Sequence, residues 1–201
     1  MSKCGREGFS MRRTVVKLGV AASLAALVGP ACAHVGAGYA GGVAAGLAHP
    51  LLGLDHLLAM AAVGVWSSVA MPLRVWTAPA AFLMAMSGGA ALAFVGVALP
   101  EIEGMIALSV LALGLMIVFG AGLPGIAGIG LAGLFALFHG HAHASEAAGA
   151  TFAYVGGFTL STAALHLFGV SVGLKIASSP WLRTSLGMLV AGSGAALVFG
   201  G

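Results

Sequence analysis

The stretch LLGLDHLLAMAAVGVWSSVA, Leu51 to Ala70, decides the fold. It is apolar except for Asp55 and His56 near its start and two serines near its end. At 1.5 Å per residue a helix of this length covers about 30 Å, the thickness of the hydrocarbon core of a bilayer. Five runs of similar character follow, at roughly 78–98, 104–122, 125–140, 150–172 and 184–201. The breaks between them are Pro72 to Thr77, Pro100 to Glu103, Pro124, His141 to Glu146, and Lys175 to Arg183. A short apolar lead, Gly36 to Ala48, precedes the first run.

Composition points the same way. Of 201 residues 60% are hydrophobic and 6% charged, and mean hydropathy is +1.10. So few charges cannot keep the surface of a soluble domain wet. A soluble globular domain, a disordered segment and a disulfide scaffold are excluded. Thirty-three glycines would weaken soluble helices; in lipid they mark close helix–helix contact. The expected architecture is all-α, a polytopic transmembrane helix bundle of about six spans in one domain, 34–201, with membrane lipid as its surroundings. The net charge of +3 does not suggest nucleic-acid binding, because five of the eight Lys and Arg (Lys3, Arg6, Arg12, Arg13, Lys17) stand near the start of the chain.

Those basic residues precede a short apolar core, Leu18 to Val28, and then Ala31-Cys32-Ala33. A positive region, a short apolar core and an A-x-A site read as a secretory signal peptide over 1–33. Cleavage after Ala33 removes both cysteines, Cys4 and Cys32, and leaves a chain with no thiolate ligand. It also makes His34 the first residue, where a free amine beside an imidazole chelates divalent metal. A new N-terminus outside the cytoplasm and six alternating spans place Arg74, Lys175 and Arg183 inside. Glu101, Glu103 and the His141 to Glu146 segment then lie outside. This obeys the positive-inside rule and implies a multi-pass protein of the inner membrane with a periplasmic N-terminus.

An ionisable side chain in a span is costly, about 2.5–3.5 kcal/mol or more at its centre, and so implies a partner or a watery site. Here such residues gather in two places. The first is His49-Pro50-Leu51-Leu52-Gly53-Leu54-Asp55-His56, followed by Met60. Pro50 suits the first turn of a helix. On a continuous helix His49 and His56 return to nearly one face, which Met60 shares. Asp55 is a ligand itself or a carboxylate that orients an imidazole. The second is Phe138-His139-Gly140-His141-Ala142-His143-Ala144-Ser145-Glu146. His139, His143 and Glu146 form one stripe if a helix continues through Gly140. His141 points elsewhere, as an outer capture ligand. His49, Asp55, His56, His139, His143 and Glu146 are therefore the main candidate metal ligands; His34, His141, Met60 and His166 are secondary. With the orientation above, both groups lie at the outer ends of their spans. His166 falls deeper, toward the cytoplasmic side, where it receives an ion or relays a proton, with Thr159, Ser161 and Thr162 as hydroxyl partners. Imidazoles with carboxylates and no thiolate disfavour Cu(I), Mg²⁺ and Ca²⁺ and leave Ni²⁺, Co²⁺ and Zn²⁺.

At these residues the chain resembles the HupE/UreJ family of nickel/cobalt permeases. The resemblance runs through His34-Val35-Gly36, HPLLGLDHLLAMAAVGVW from His49 to Trp66, FHGHAHASE from Phe138 to Glu146, and GGFTLSTAALHLFGV from Gly156 to Val170. Ala144 stands where the family pattern leads one to expect glycine. The resemblance implies a six-span inner-membrane importer, not an enzyme. It also implies ligand roles for His49, Asp55, His56, His139, His143 and Glu146. The transported Ni²⁺ or Co²⁺ is cargo and no prosthetic group is expected. The ion would pass to metallochaperones of hydrogenase, urease or cobalamin synthesis. No phosphate-binding glycine loop is present, so the chain does not itself hydrolyse nucleotide. The competing function is a zinc-dependent intramembrane hydrolase using the same His/Asp cluster, with Asp55 or Glu146 as general base.

Overall fold

The computed structural model describes residues 42–147 and 151–200. The signal-peptide reading of 1–33 and the expected role of His34 fall outside them. Seven α-helices occupy the described residues, with no strand: α1 Val43–Leu52, α2 Leu54–Ala70, α3 Thr77–Phe94, α4 Ile102–Phe119, α5 Gly125–Ser145, α6 Thr151–Ile176 and α7 Pro180–Phe199. Five of them, α3 to α7, are long and apolar enough to cross a membrane, and α1 with α2 makes a sixth span if that bent pair counts as one.

The bend is the main departure from the reading of the sequence. One continuous helix was expected to bring His49 and His56 to a single face. Instead α1 and α2 meet at 84°. Pro50 lies inside α1, not in a first turn. The break falls at Gly53, which is extended (φ −84°, ψ 115°) and serves both as the end of α1 and the start of α2. Its amide still reaches the His49 carbonyl at 3.3 Å, while its carbonyl accepts the first α2 bond from Leu57. A Cβ on Gly53 would stand 2.8 Å from Asp55 Oδ1 and 3.2 Å from His56 Nδ1. The missing side chain thus lets the Asp55–His56 pair fold back against the break. Asp55 also sits in the first turn of α2, where its carboxylate accepts from the His56 amide at 2.8 Å. An acid there satisfies an orphan amide and the helix dipole together.

Elsewhere the corrections concern helix ends. α5 does not stop at residue 140 but runs on to Ser145, so the polar segment expected as a break is mostly helix. α3 ends at Phe94, and α6 extends to Ile176.

Glycine contacts set the packing. Gly89 and Gly140 bring α3 and α5 together, backbone on backbone, at Leu137 and Met86. Gly114, Gly187 and Gly194 do the same for α4 and α7. Gly64, Gly169 and Gly173 join α2 to α6, while Gly46 and Gly157 join α1 to the earlier part of α6. Small residues in this role are expected where lipid supplies no hydrophobic drive and van der Waals contact must hold helices together. The consequence for function is positional. Both halves of the broken span rest on α6, and α5 is held tightly to α3, so His49, His56, His139 and His143 are presented from rigid backbone.

Candidate metal centre

Three of the expected ligands converge. The side chains of His49 (α1), His56 (α2) and His143 (α5) each offer a ligand atom within 4.8 Å of the others. Their ring centroids lie 5.4 Å (His49–His56), 4.8 Å (His49–His143) and 4.7 Å (His56–His143) apart. The break at Gly53 makes this possible, because α1 and α2 approach the cluster from different directions. Three nitrogens around one ion at bonds of 2.0–2.1 Å stand roughly 3.4 Å from each other in tetrahedral geometry. Small side-chain rotations would close the observed spacing.

Within the cluster, one hydrogen bond sets the position of a proton on His56. His56 Nδ1 donates to Asp55 Oδ1 at 2.8 Å. Its Nε2 is buried without a hydrogen-bond partner, so the lone pair there is uncommitted. An imidazole backed by a carboxylate on one nitrogen and open on the other is the usual form of a metal-ligating histidine. Of the two roles left open above, the contact with His56 Nδ1 matches the geometry of an orienting carboxylate. His143 is fully buried, and neither of its ring nitrogens has a partner. It stacks on Phe158 of α6 at 4.6 Å, which holds the ring plane without satisfying either nitrogen. His49 is partly exposed, and its Nε2 lies 3.3 Å from Glu146 Oε2. Glu146 caps the end of α5 and is nearly half exposed. It therefore faces His49 at the rim.

His139 lies one layer deeper. It is fully buried, with its ring 4.9 Å from that of His56. The Ser109 hydroxyl donates to the Ile106 carbonyl at 2.6 Å, which commits its only proton. The 3.0 Å contact between Ser109 Oγ and His139 Nε2 must then be donated by the imidazole. That leaves a lone pair on His139 Nδ1, which is buried and unpartnered. His139 is a neighbour of the three-histidine group rather than a member of it. His141 is different again. It is buried, not a surface capture ligand, and its Nε2 donates to the Val97 carbonyl at 2.7 Å, tying α5 to the segment after α3.

Beside the rim a cavity of about 390 Å³ is lined by Leu99, Glu101, Ile102, Glu103, Gly104, Ala142, Ser145 and Glu146. Three carboxylates, Glu101, Glu103 and Glu146, line this cavity and give it a negative potential. Sequence reasoning did not find Ser109, Phe158 or Tyr154. Ser109 was detectable as an isolated hydroxyl in an apolar run. The aromatic pair carried no such signal, since large apolar residues fill every span.

The comparisons with known proteins show the family. The family model described as HupE / UreJ protein matches residues 22–197. The chain belongs to the HupE/UreJ family. Within it, the chain is similar to Protein HupE of Rhizobium leguminosarum bv. viciae, 41% identical over 186 residues, covering 90% of this chain and 97% of that relative. No solved structure matches. In this HupE/UreJ chain the elements quoted for the resemblance, HPLLGLDH and FHGHAHASE, are the ones that supply the converging histidines.

Proposed function

We propose that the protein imports Ni²⁺ or Co²⁺ across the bacterial inner membrane, taking the ion at the His49–His56–His143 cluster from the periplasmic side. The observation that carries this reading is the convergence of three imidazoles from α1, α2 and α5, two of them holding buried nitrogens with no hydrogen-bond partner. Leaving such groups unsatisfied costs about 1–3 kcal/mol each, and binding a cation removes that cost. The donor set suits a borderline first-row ion. Counting α1 with α2 as one span gives six. Arg74, Lys175 and Arg183 then share the cytoplasmic end, as the positive-inside rule favours. A signal peptide removed before His34 fits this orientation. A divalent cation moving inward gains about 4.6 kcal/mol per 100 mV of membrane potential. The ion delivered would serve the metallochaperones named above. The hydrolase reading gains no supporting observation, because Asp55 is engaged with His56 and Glu146 faces His49.

Uptake of radiolabelled nickel and cobalt tests the proposal. Cells expressing the chain should accumulate one or both ions above cells lacking it. His49→Ala should raise the external concentration needed for half-maximal uptake about tenfold and leave the maximal rate little changed, because this partly exposed ring acts at capture. Equal accumulation with and without the protein, when it is present in the membrane, would end the reading.

A further inference from the structure

Beyond the histidine cluster a second group of ligand-bearing side chains occupies the centre of the bundle. Tyr154, Phe158, Thr162 and His166 follow one another at four-residue spacing on α6 and so share one stripe. Tyr154 and Phe158 meet the cluster at His49 and His143. Thr162 comes next, fully buried, with its hydroxyl 3.1 Å from the sulfur of Met60 and 3.9 Å from the sulfur of Met86. Both methionines are completely buried. One turn further lies His166, only 1% exposed. Its Nδ1 can only donate to the Met60 carbonyl, 2.8 Å away. The lone pair therefore resides on Nε2, which is buried without a partner. Phe82 packs against both His139, the cluster's deeper neighbour, and His166, its ring 5.9 Å from that of His139 and 5.1 Å from that of His166. On the far side, His166 lines a cavity of about 180 Å³ with Trp76, Pro79, Ala80, Leu83 and Ala163. Pro79, Ala80 and Leu83 lie in the first two turns of α3, which follows the end of α2 remote from His56.

We propose that His166, with the Met60 and Met86 thioethers and the Thr162 hydroxyl, forms a second, weaker coordination station that receives the ion from the histidine cluster past Phe82 and releases it into the α3–α6 cavity. This rests on the import reading. The chemistry of the two groups differs in the required sense. Three imidazoles bind a borderline cation firmly; one imidazole with thioethers and a hydroxyl binds it loosely. Conduction needs sites strong enough to enter and weak enough to leave. The station also disfavours Mg²⁺ and Ca²⁺, which want oxygen ligands.

The test separates capture from passage. His166→Asn keeps an amide nitrogen where Nδ1 now donates to Met60 and removes the distal edge of the ring, with its second nitrogen. In the purified full-length protein this variant should bind Ni²⁺ at the cluster with wild-type affinity, which also shows that it is folded. In vesicles containing it, the maximal rate of Ni²⁺ uptake should fall at least about tenfold, with the half-saturating concentration unchanged. Met86→Leu, which removes a sulfur and keeps the volume, should lower the same rate by a smaller factor. Wild-type uptake by His166→Asn would overturn the proposal. Loss of Ni²⁺ binding together with uptake would mark His166 as structural and equally overturn it. If the unaltered protein neither binds Ni²⁺ nor transports it, the import reading itself fails.

Discussion

Replacing His143 by leucine should abolish tight Ni²⁺ and Co²⁺ binding, lowering affinity at least about 100-fold, while leaving the metal-free protein as stable as before or more so. The two effects have one cause. His143 is fully buried, stacked on Phe158, and both its nitrogens lack hydrogen-bond partners. A histidine kept for structure would have those atoms satisfied, because an unmet buried polar atom costs about 1–3 kcal/mol. Leucine has comparable volume and no polar atom, so it removes that cost and fills the same space. It also removes one of three converging ligands. Calorimetric titration of the purified protein gives the affinity, and thermal unfolding without metal gives the stability. A variant that unfolds readily yet still binds metal would reverse the assignment.

Asp55→Asn should weaken metal binding about 10–100-fold, the usual cost of removing a carboxylate that orients a metal-ligating imidazole. One oxygen of Asp55 accepts from both the amide and Nδ1 of His56. The carboxylate can only accept, so it locks the proton on Nδ1 and the lone pair on Nε2. Asparagine loses the negative charge that makes Nε2 a better donor to metal. It can also turn its amide toward the ring and stabilise the opposite tautomer, with the proton on the ligand atom. Some stability should go too, about 0.3–1 kcal/mol, since an acid in the first turn of α2 favours the helix dipole. Titration of Asp55→Asn beside the unaltered protein checks the first expectation. An unchanged affinity would show that the carboxylate does not govern the imidazole.

The two polar groups were readable from the sequence because the chain is so poor in charge. With 6% charged residues, five histidines and two acids gathered in two short stretches of an apolar background stand out without any knowledge of the fold. Their meeting was less readable. Gly53 sits inside a run that looks like one helix, and nothing local distinguishes a bend from a continuous turn. Only the packing of α1 and α2 on different parts of α6 makes the break favourable. The division of labour was hidden for a similar reason. His139 and His143 share a face of α5, yet Ser109 of α4 engages one of them and Phe158 of α6 covers the other. Those neighbours are set by helix pairing, which the spacing of residues along one helix does not encode. Thr162 was expected to serve as a hydroxyl partner on the fifth span; that it contacts methionine sulfurs from two other helices follows from the same pairing.

The most direct test is the anomalous scattering of nickel in crystals of the metal-loaded protein. The ion should appear bonded to one nitrogen each of His49, His56 and His143, at roughly 2.0–2.1 Å if its bonds resemble those of zinc to imidazole. Asp55 should remain on the far nitrogen of His56. An ion held outside this cluster, or by histidines of α5 alone with α1 and α2 uninvolved, would contradict the assignment of the broken span and α5 to a single centre.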